Sequence, residues 1–420
     1  MSDENKLIVG MDLCNDYTQI SLYNNSKYEV ESFFLDTKEQ EYKIPTVLAV
    51  REDTKEWLFG KDALQCSYER KGHLLKNFLA YSQPNIEIYG IPFTRVQIYE
   101  RFLRKVLLLL KRDYPNDIVH QLVITLKKAE PELMKELYIA LESLGLKKNR
   151  VRILSHEQSY LYFALSQKKE LWMNDVAMFE YDKEGLFYYQ ISIDRRNRPM
   201  LVGMVKKDFS DTMTYTMIKE KPESLCYMFE NISTNVFHKQ IISTIYLTGE
   251  GFEANWIKPL LQQLCIGRRL FMGQNLYCYG ACYAAKEESQ GDRFAGFALL
   301  SSDSLPYSVT MQLYTNGELK NVTLVETATP WYEVNQKFSV ILDGENELTF
   351  VLRDALNKTT QTRILALDGL EKELRMERGS RVEIRIASNS DKELIVTIKD
   401  QGFGSMYPSS NRIWEKIISC

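Results

Sequence analysis

Through the first fifty positions, apolar residues alternate with polar ones or bunch into short runs. LIVGMDL (7–13) and TQISLYN (18–24) predict the two strands of a hairpin, joined by a short polar turn. FFLD (33–36) and TVLAV (46–50) predict further strands. The period then lengthens. KDALQCSYE predicts a helix after the turn at Gly60, and residues from about 94 to 113 carry an apolar stripe at helical spacing through Ile98, Phe102, Val106 and Leu110. LVITL (122–126) is a continuous apolar run of the kind that fills a buried strand. PELMKELYIALESLGL reads as a helix with Pro131 at its start and Gly145 near its end. RVRIL follows as a strand, and SHEQSYLYFALSQ as a helix with Ser155 as its N-cap.

Three strands are predicted next, at 176–181, 186–193 and 200–206, then a helical region near 222–238. IISTIYLTGEGFEANWIKPLLQQLC reads as a strand, a glycine turn and a helix, and YCYGACYAAKEE as a short helix with small residues for close packing. After about residue 305 strands dominate: YSVTMQLYT, NVTLVETA, KFSVILD, ELTFVLRDA, RVEIRIAS and ELIVTIKD. Turn signals separate them at TNG (315–317), DGEN (343–346) and SNSDKE (388–393). This texture predicts an antiparallel β-sandwich of about a hundred residues. The predicted domains are 1–300, 305–405 and a short tail, 406–420, in which NRIWEKIIS could form one or two helical turns.

Composition narrows the function classes. The 420 residues are 45% hydrophobic and 26% charged, an ordinary globular balance. A formal charge of −3 provides no basic surface for nucleic acid. The polar start MSDENK is not a secretory leader, and VLLLL (106–110), flanked by lysines, is too short to span a bilayer, so a cytoplasmic protein without membrane association is expected. Seven cysteines are scattered with no CxxC spacing, as for reduced thiols. The four histidines, at 73, 120, 156 and 238, have no metal-ligand spacing, and no metal site is expected. No GxSxG elbow is present, and the GEGF turn is too short for a dinucleotide fingerprint.

Taken in order, these motifs resemble the actin-like ATPase superfamily, and within it the DnaK-type chaperones. IVGMDLCNDYTQISLY resembles the first phosphate hairpin and VAMFEYDKEGLFYYQISI the second. RVRILSHEQSYLYFAL resembles a strand and connecting helix, IYLTGEGFEANWIKPLLQQL the adenosine-side turn, and YGACYAA the second connecting helix. NGELKNVTLVETATPWYEVNQKFSVIL and VEIRIASNSDKELIVTIKDQGFGS resemble strands of the chaperone's peptide-binding sandwich. The implied fold is an α/β actin-like ATPase body of two lobes, the second reduced, followed by an all-β sandwich. Asp12 matches the family's metal-organising aspartate, Lys76 aligns with its catalytic lysine, and Glu157 matches the glutamate opening the connecting helix. Glu180 replaces the aspartate before the glycine run, and Gly249 and Gly251 preserve the adenosine-side turn. Leu319, Ile341 and Leu348 fall on or near peptide-binding positions.

The departures bear on function. A phosphate cradle needs glycines, so that the backbone can approach and present its N–H groups. Where the family has Gly-Thr-Thr and Gly-Gly-Gly-Thr, this chain has Cys14-Asn15-Asp16 and Asp182-Lys183-Glu184-Gly185. Like charges a few ångströms apart cost on the order of 1 kcal/mol in water and several times that in a partly enclosed site. Only about 35–40 residues connect Lys207 to Ile245, too few for the family's full adenosine clamp, and the long helical lid is missing beyond Asn411. The expectation is a non-catalytic, DnaK-like interaction or scaffolding protein with degenerate phosphate loops, a protein or peptide partner and no cofactor. The alternatives are an ATP/Mg-binding chaperone acting on extended peptides and an actin-like cytoskeletal or division protein.

Overall fold

The computed structural model describes residues 6–36, 38, 40–342, 347–368, 380–404 and 408–419. Backbone contacts divide the chain into two units. One comprises Met1–Ile193 with Met204–Gly296, the other Asp194–Gly203 with Phe297–Cys420.

Two sheets form the frame of the first unit, and they repeat one strand plan. In the first, β1 (Lys6–Leu13) and β2 (Tyr17–Asn24) form a hairpin, and β3 (Glu29–Ser32) extends it antiparallel. On the other side of β1 lie β4 (Ile118–Leu126) and β5 (Val151–Ser155), both parallel. In the second sheet, β6 (Asp175–Asp182) and β7 (Gly185–Asp194) form the hairpin, and β8 (Met200–Asp208) neighbours β7. On the other side of β6 lie β9 (Ile242–Thr248) and β10 (Arg269–Met272), again parallel. Parallel neighbours need crossovers, and helices supply them.

Most of the predicted helices form, with Ser155 and Pro131 at the starts expected of them. Within the series α1 (Gly60–Tyr68), α2 (Arg95–Asp113), α3 (Pro131–Ser143) and α4 (His156–Ser166), α2 and α4 each begin with a capping box. The Ser155 hydroxyl accepts from the Gln158 N–H, while the Gln158 side chain accepts from the Ser155 N–H. α5 (Pro222–Phe237) packs Leu225, Phe229 and Ile232 into the core beneath the second sheet. α6 (Leu276–Gln290) is buried along most of its length through Gly280, Ala281, Cys282, Ala284 and Ala285.

Those small residues matter because α6 lies backbone to backbone against two neighbours. A Cβ at Gly280 would sit 1.9 Å from the Ser159 carbonyl oxygen of α4. A Cβ at Gly10 of β1 would sit 2.4 Å from the Cys282 nitrogen of α6. The Ser21 hydroxyl donates to the Cys278 carbonyl at 2.8 Å, fixing α6 over the first hairpin.

In the second unit, Met200–Gly203 pairs parallel with Phe297–Leu300. The rest is two antiparallel four-stranded sheets. One has the order β12 (Glu318–Val325), β11 (Tyr307–Thr315), β14 (Glu347–Asp354), β15 (Thr360–Ala366). The other runs β13 (Asn335–Leu342), β16 (Ser380–Ser390), β17 (Glu393–Asp400), β18 (Ile413–Ser419). Alternate side chains such as Val309, Phe350, Ile384 and Val396 fill a shared core.

Several expectations are corrected. The strand expected at FFLD lies just upstream, at Glu29–Ser32. The single helix expected after the glycine turn breaks into 3₁₀ segments, Glu250–Phe252 and Asn255–Leu260, and a four-residue helix, Leu261–Leu264. Pro259 in its middle has no N–H to continue a regular helix. The tail expected from 406 enters the sandwich: NRIWEKIIS is not helical but largely β18, because Trp414 and Ile418 alternate inward while Ile413 and Ile417 face out. The Asp400 carboxylate guides the chain there, accepting from the Ser410 N–H and hydroxyl, both at 2.7 Å. The polar start at 1–5 and the turn expected at 343–346 lie outside the described residues. Among the described residues, no helix is long and apolar enough to cross a membrane.

Gly280→Ala is expected to destabilise the protein by about 3 kcal/mol, the upper end of overpacking effects, because backbone rather than a movable side chain blocks the new methyl. The midpoint of urea unfolding measures it, and an unchanged midpoint would disprove the tight helix contact.

Candidate functional site

The carboxyl ends of the parallel strands and the tips of the two hairpins converge on one cavity of about 300 Å³. In open α/β sheets this is where loops leave the strands and ligand-binding residues gather. The turn after β1 contributes Cys14, Asn15 and Asp16, and the β6–β7 turn contributes Asp182, Lys183 and Glu184. Lys127 and Lys128 follow β4, Gly249 and Glu250 follow β9, His156 opens α4, and Gln274 and Tyr277 come from the start of α6 and the residues before it.

The acids of the second turn are neutralised locally. Lys127 Nζ lies 2.8 Å from Asp182 Oδ2 and 3.0 Å from Glu184 Oε2. Lys183, from the same turn, reaches across to Asp16 Oδ2 at 2.7 Å. The turn's backbone is also engaged, since the Glu184 N–H donates to Asp182 Oδ1 at 2.8 Å. In the first turn, the Cys14 N–H donates to the Tyr17 carbonyl at 3.0 Å. Burial acts to lower the Lys127 ammonium, but Glu180 and Asp182 outweigh it, and the net shift is upward.

Deeper lies a second cluster. Asp12, at the end of β1 and 1% exposed, meets His156 with Oδ1 2.8 Å from Nε2. The Cys14 thiol donates to the same Oδ1 at 3.4 Å, and its sulfur is 3.7 Å from His156 Nε2. The imidazole stacks on the Tyr277 ring, centroids 3.8 Å apart and planes 13° apart. Burial, reinforced by Asp12, pushes the Cys14 thiol well up, so the protonated thiol is favoured. This is not a nucleophile–base arrangement. Asp12 and Cys14 address the same imidazole nitrogen, whereas a triad uses the two nitrogens separately.

The candidates read from the sequence separate into three groups. Asp12, Glu180 and Gly249 come together in or beside the cavity. Glu157 lies outside the lining, its Oε1 3.6 Å from Lys206 Nζ, and Gly251 packs against the Tyr181 ring, where a Cβ would come within 2.4 Å. Lys76 ends the strand Gly72–Lys76, which pairs with Val47–Arg51, and it is exposed and not among the lining residues, although Leu79 and Ala80 just after it are. In the sandwich, Leu319 and Ile341 are 57% and 59% exposed, but Leu348 is 5% exposed and belongs to the core. Leu348 is therefore not a peptide contact. Its position on β14 turns it inward with Phe350 and Leu352. Sequence reasoning missed His156, Tyr277, Lys127 and Gln274. The side chain of Gln274 brackets Gly249, accepting from its N–H and donating to its carbonyl, both at 3.0 Å. No local signal announced them, since their partners lie far off in the chain.

Glu180 is buried and accepts from the Tyr189 hydroxyl at 3.2 Å. Burial raises its carboxyl above the usual range and Asp182 adds to the rise, while His156, Lys127 and the Tyr277 hydroxyl oppose it. A raised carboxyl contributes stability that is fully present below the unfolded value and is lost as pH rises through the folded one. Glu180→Gln is therefore expected to be more stable than the parent at pH 7, with the difference vanishing toward pH 4. Denaturant midpoints across that range test this. A parent that is the more stable at pH 7 would mean that the attraction to Lys127 outweighs desolvation.

The family of unknown function DUF5716, C-terminal part, matches residues 29–302, and the domain of unknown function DUF8552 matches residues 304–420. No curated protein matches the chain. With more than half of its length covered by the first of these, the chain belongs to the DUF5716 C-terminal family, and the DUF8552 match spans its β-sandwich.

Proposed function

We propose that the protein is a non-catalytic interaction or scaffolding module, with a body related to the actin-like ATPases and a DnaK-like β-sandwich that engages a protein or peptide. The repeated plan of a hairpin flanked by two parallel strands supports the relation, since the resemblance implies two α/β lobes with a first and a second phosphate hairpin. The two short helical segments between β8 and β9, Met217–Glu220 and α5, are consistent with a reduced second lobe. Six described cysteines are free thiols, which favours a reducing compartment such as the cytoplasm.

The observation that carries the non-catalytic reading is the ion-paired turn at Asp182–Gly185. A triphosphate needs free N–H groups and net positive charge. Here the Cys14 and Glu184 amides already donate within their own turns, and Lys127 and Lys183 are committed to Asp182, Glu184 and Asp16. A phosphate entering would compete with carboxylates tethered in place. These residues do not fit a triphosphate.

Melting with and without millimolar Mg-ATP is expected to give superimposable curves. A ligand at a hundred times its Kd would add about 2.7 kcal/mol, so a clear upward shift would overturn this reading in favour of an ATP-binding chaperone. For the sandwich, an extended apolar peptide is expected to bind, and Leu319→Asp with Ile341→Asp to weaken it at least tenfold while melting stays unchanged. Equal affinity in parent and double variant would remove this peptide surface.

A further inference from the structure

We propose that Asp12, Cys14 and His156 bind a thiophilic divalent transition-metal ion, zinc foremost, with a fourth coordination position open to the cavity. Their donor atoms all lie within 4.8 Å of one another. This goes beyond the scaffolding reading and stands independently of it.

The geometry carries the argument. Zinc bonds of about 2.3 Å to sulfur, about 2.05 Å to nitrogen and about 2.0 Å to oxygen, at tetrahedral angles, imply edges of about 3.5 Å for S···O, about 3.6 Å for S···N and about 3.3 Å for N···O. The distances here are 3.4, 3.7 and 2.8 Å. Two edges already match. The third is a hydrogen bond that needs to open by about half an ångström to become a coordination edge. Asp12 and Cys14, two residues apart at the end of β1, bring both anionic donors to one ion, and His156 arrives from the capped start of α4. The Tyr277 ring holds the imidazole plane by stacking. Cys14 and His156 line the cavity, which leaves room for a water or a partner's donor as the fourth ligand.

The proton balance is simple. The metal displaces the Cys14 S–H proton to solvent, and the thiolate and the Asp12 carboxylate neutralise the dication. For Nε2 to coordinate, the imidazole proton must reside on Nδ1, which has no hydrogen-bond partner among the described residues. Outer-shell acceptors on ligating histidines are worth about 10- to 100-fold in affinity, so this site is expected to bind more weakly than a fully supported one by that factor. The donor set also excludes the hard ions. Magnesium prefers oxygen ligands in octahedral geometry and has little use for a thiolate and an imidazole.

The test uses the full chain, reduced, stripped with a chelator and titrated with Co²⁺ as a spectroscopic stand-in for zinc. One equivalent is expected to give a thiolate-to-cobalt charge-transfer band with tetrahedral ligand-field bands, which zinc bleaches and magnesium does not. Cys14→Ser is expected to abolish the charge-transfer band, and Cys265→Ser, at an exposed cysteine, to leave it unchanged. No band in the parent, or a band that survives Cys14→Ser, overturns the proposal. If Cys14→Ser fails to fold, X-ray absorption on the zinc-loaded parent decides: one sulfur in the first shell supports the site, and a shell of nitrogen and oxygen alone overturns it.

Discussion

The close approach of α6 to two backbones at once is the constraint on which the site depends. Gly10 lets β1 touch the helix on one side and Gly280 lets α4 touch it on the other. Asp12 sits on β1, His156 opens α4, and Tyr277 is the second residue of α6. The three meet only because no side chain separates the elements that bear them. Adding one methyl at either glycine would move a backbone, and a donor cluster with edges near 3 Å does not survive such a shift. Packing, rather than hydrogen bonding, thus sets the accuracy of the buried cluster.

Charge organises the outer part of the cavity in a different way. Three carboxylates at two turns would repel one another, yet each has a lysine within hydrogen-bonding distance. Lys127 is half-withdrawn from solvent, so its partners act on it through less water than at an open surface. Lys183 and Asp16 are exposed, and their pair ties the two hairpin tips together with little net stabilisation. The cavity mouth is therefore bound to itself, while the interior keeps a histidine, a thiol and a carboxylate in mutual reach.

Much of the architecture was legible in the sequence. Alternation and apolar runs located the central strands of both large sheets, and Ser155 and Pro131 marked helix starts because capping chemistry is local, whereas the short strands Trp57–Phe59, Gly72–Lys76, Asn85–Ile88, Ile91–Thr94 and Arg269–Met272 carry too few residues to show a period. The errors share a cause. NRIWEKIIS has apolar residues compatible with either period, and pairing with β17 selected the period of two. Leu348 reads as a possible contact in a strand whose inward face is unknown, and the register with β15 and the core turned it inward. Lys76 matched by order along the chain, but it ends a strand paired with Val47–Arg51 and is not among the residues that line the cavity.

By itself the sequence determined the central strands and the main helices, where several of them begin, and that the turn 182–185 lacks a glycine-rich cradle. These are properties of neighbours in the chain, set by side-chain period, caps and backbone freedom. Only the tertiary structure decided that Lys127 would answer Asp182 and Glu184, and that His156 would lie against Asp12 and Cys14. His156 and Asp12 stand 144 positions apart. No spacing rule reaches that far, because what brings them together is the burial of a helix with small residues against two backbones, a free energy of the whole fold rather than of any stretch within it.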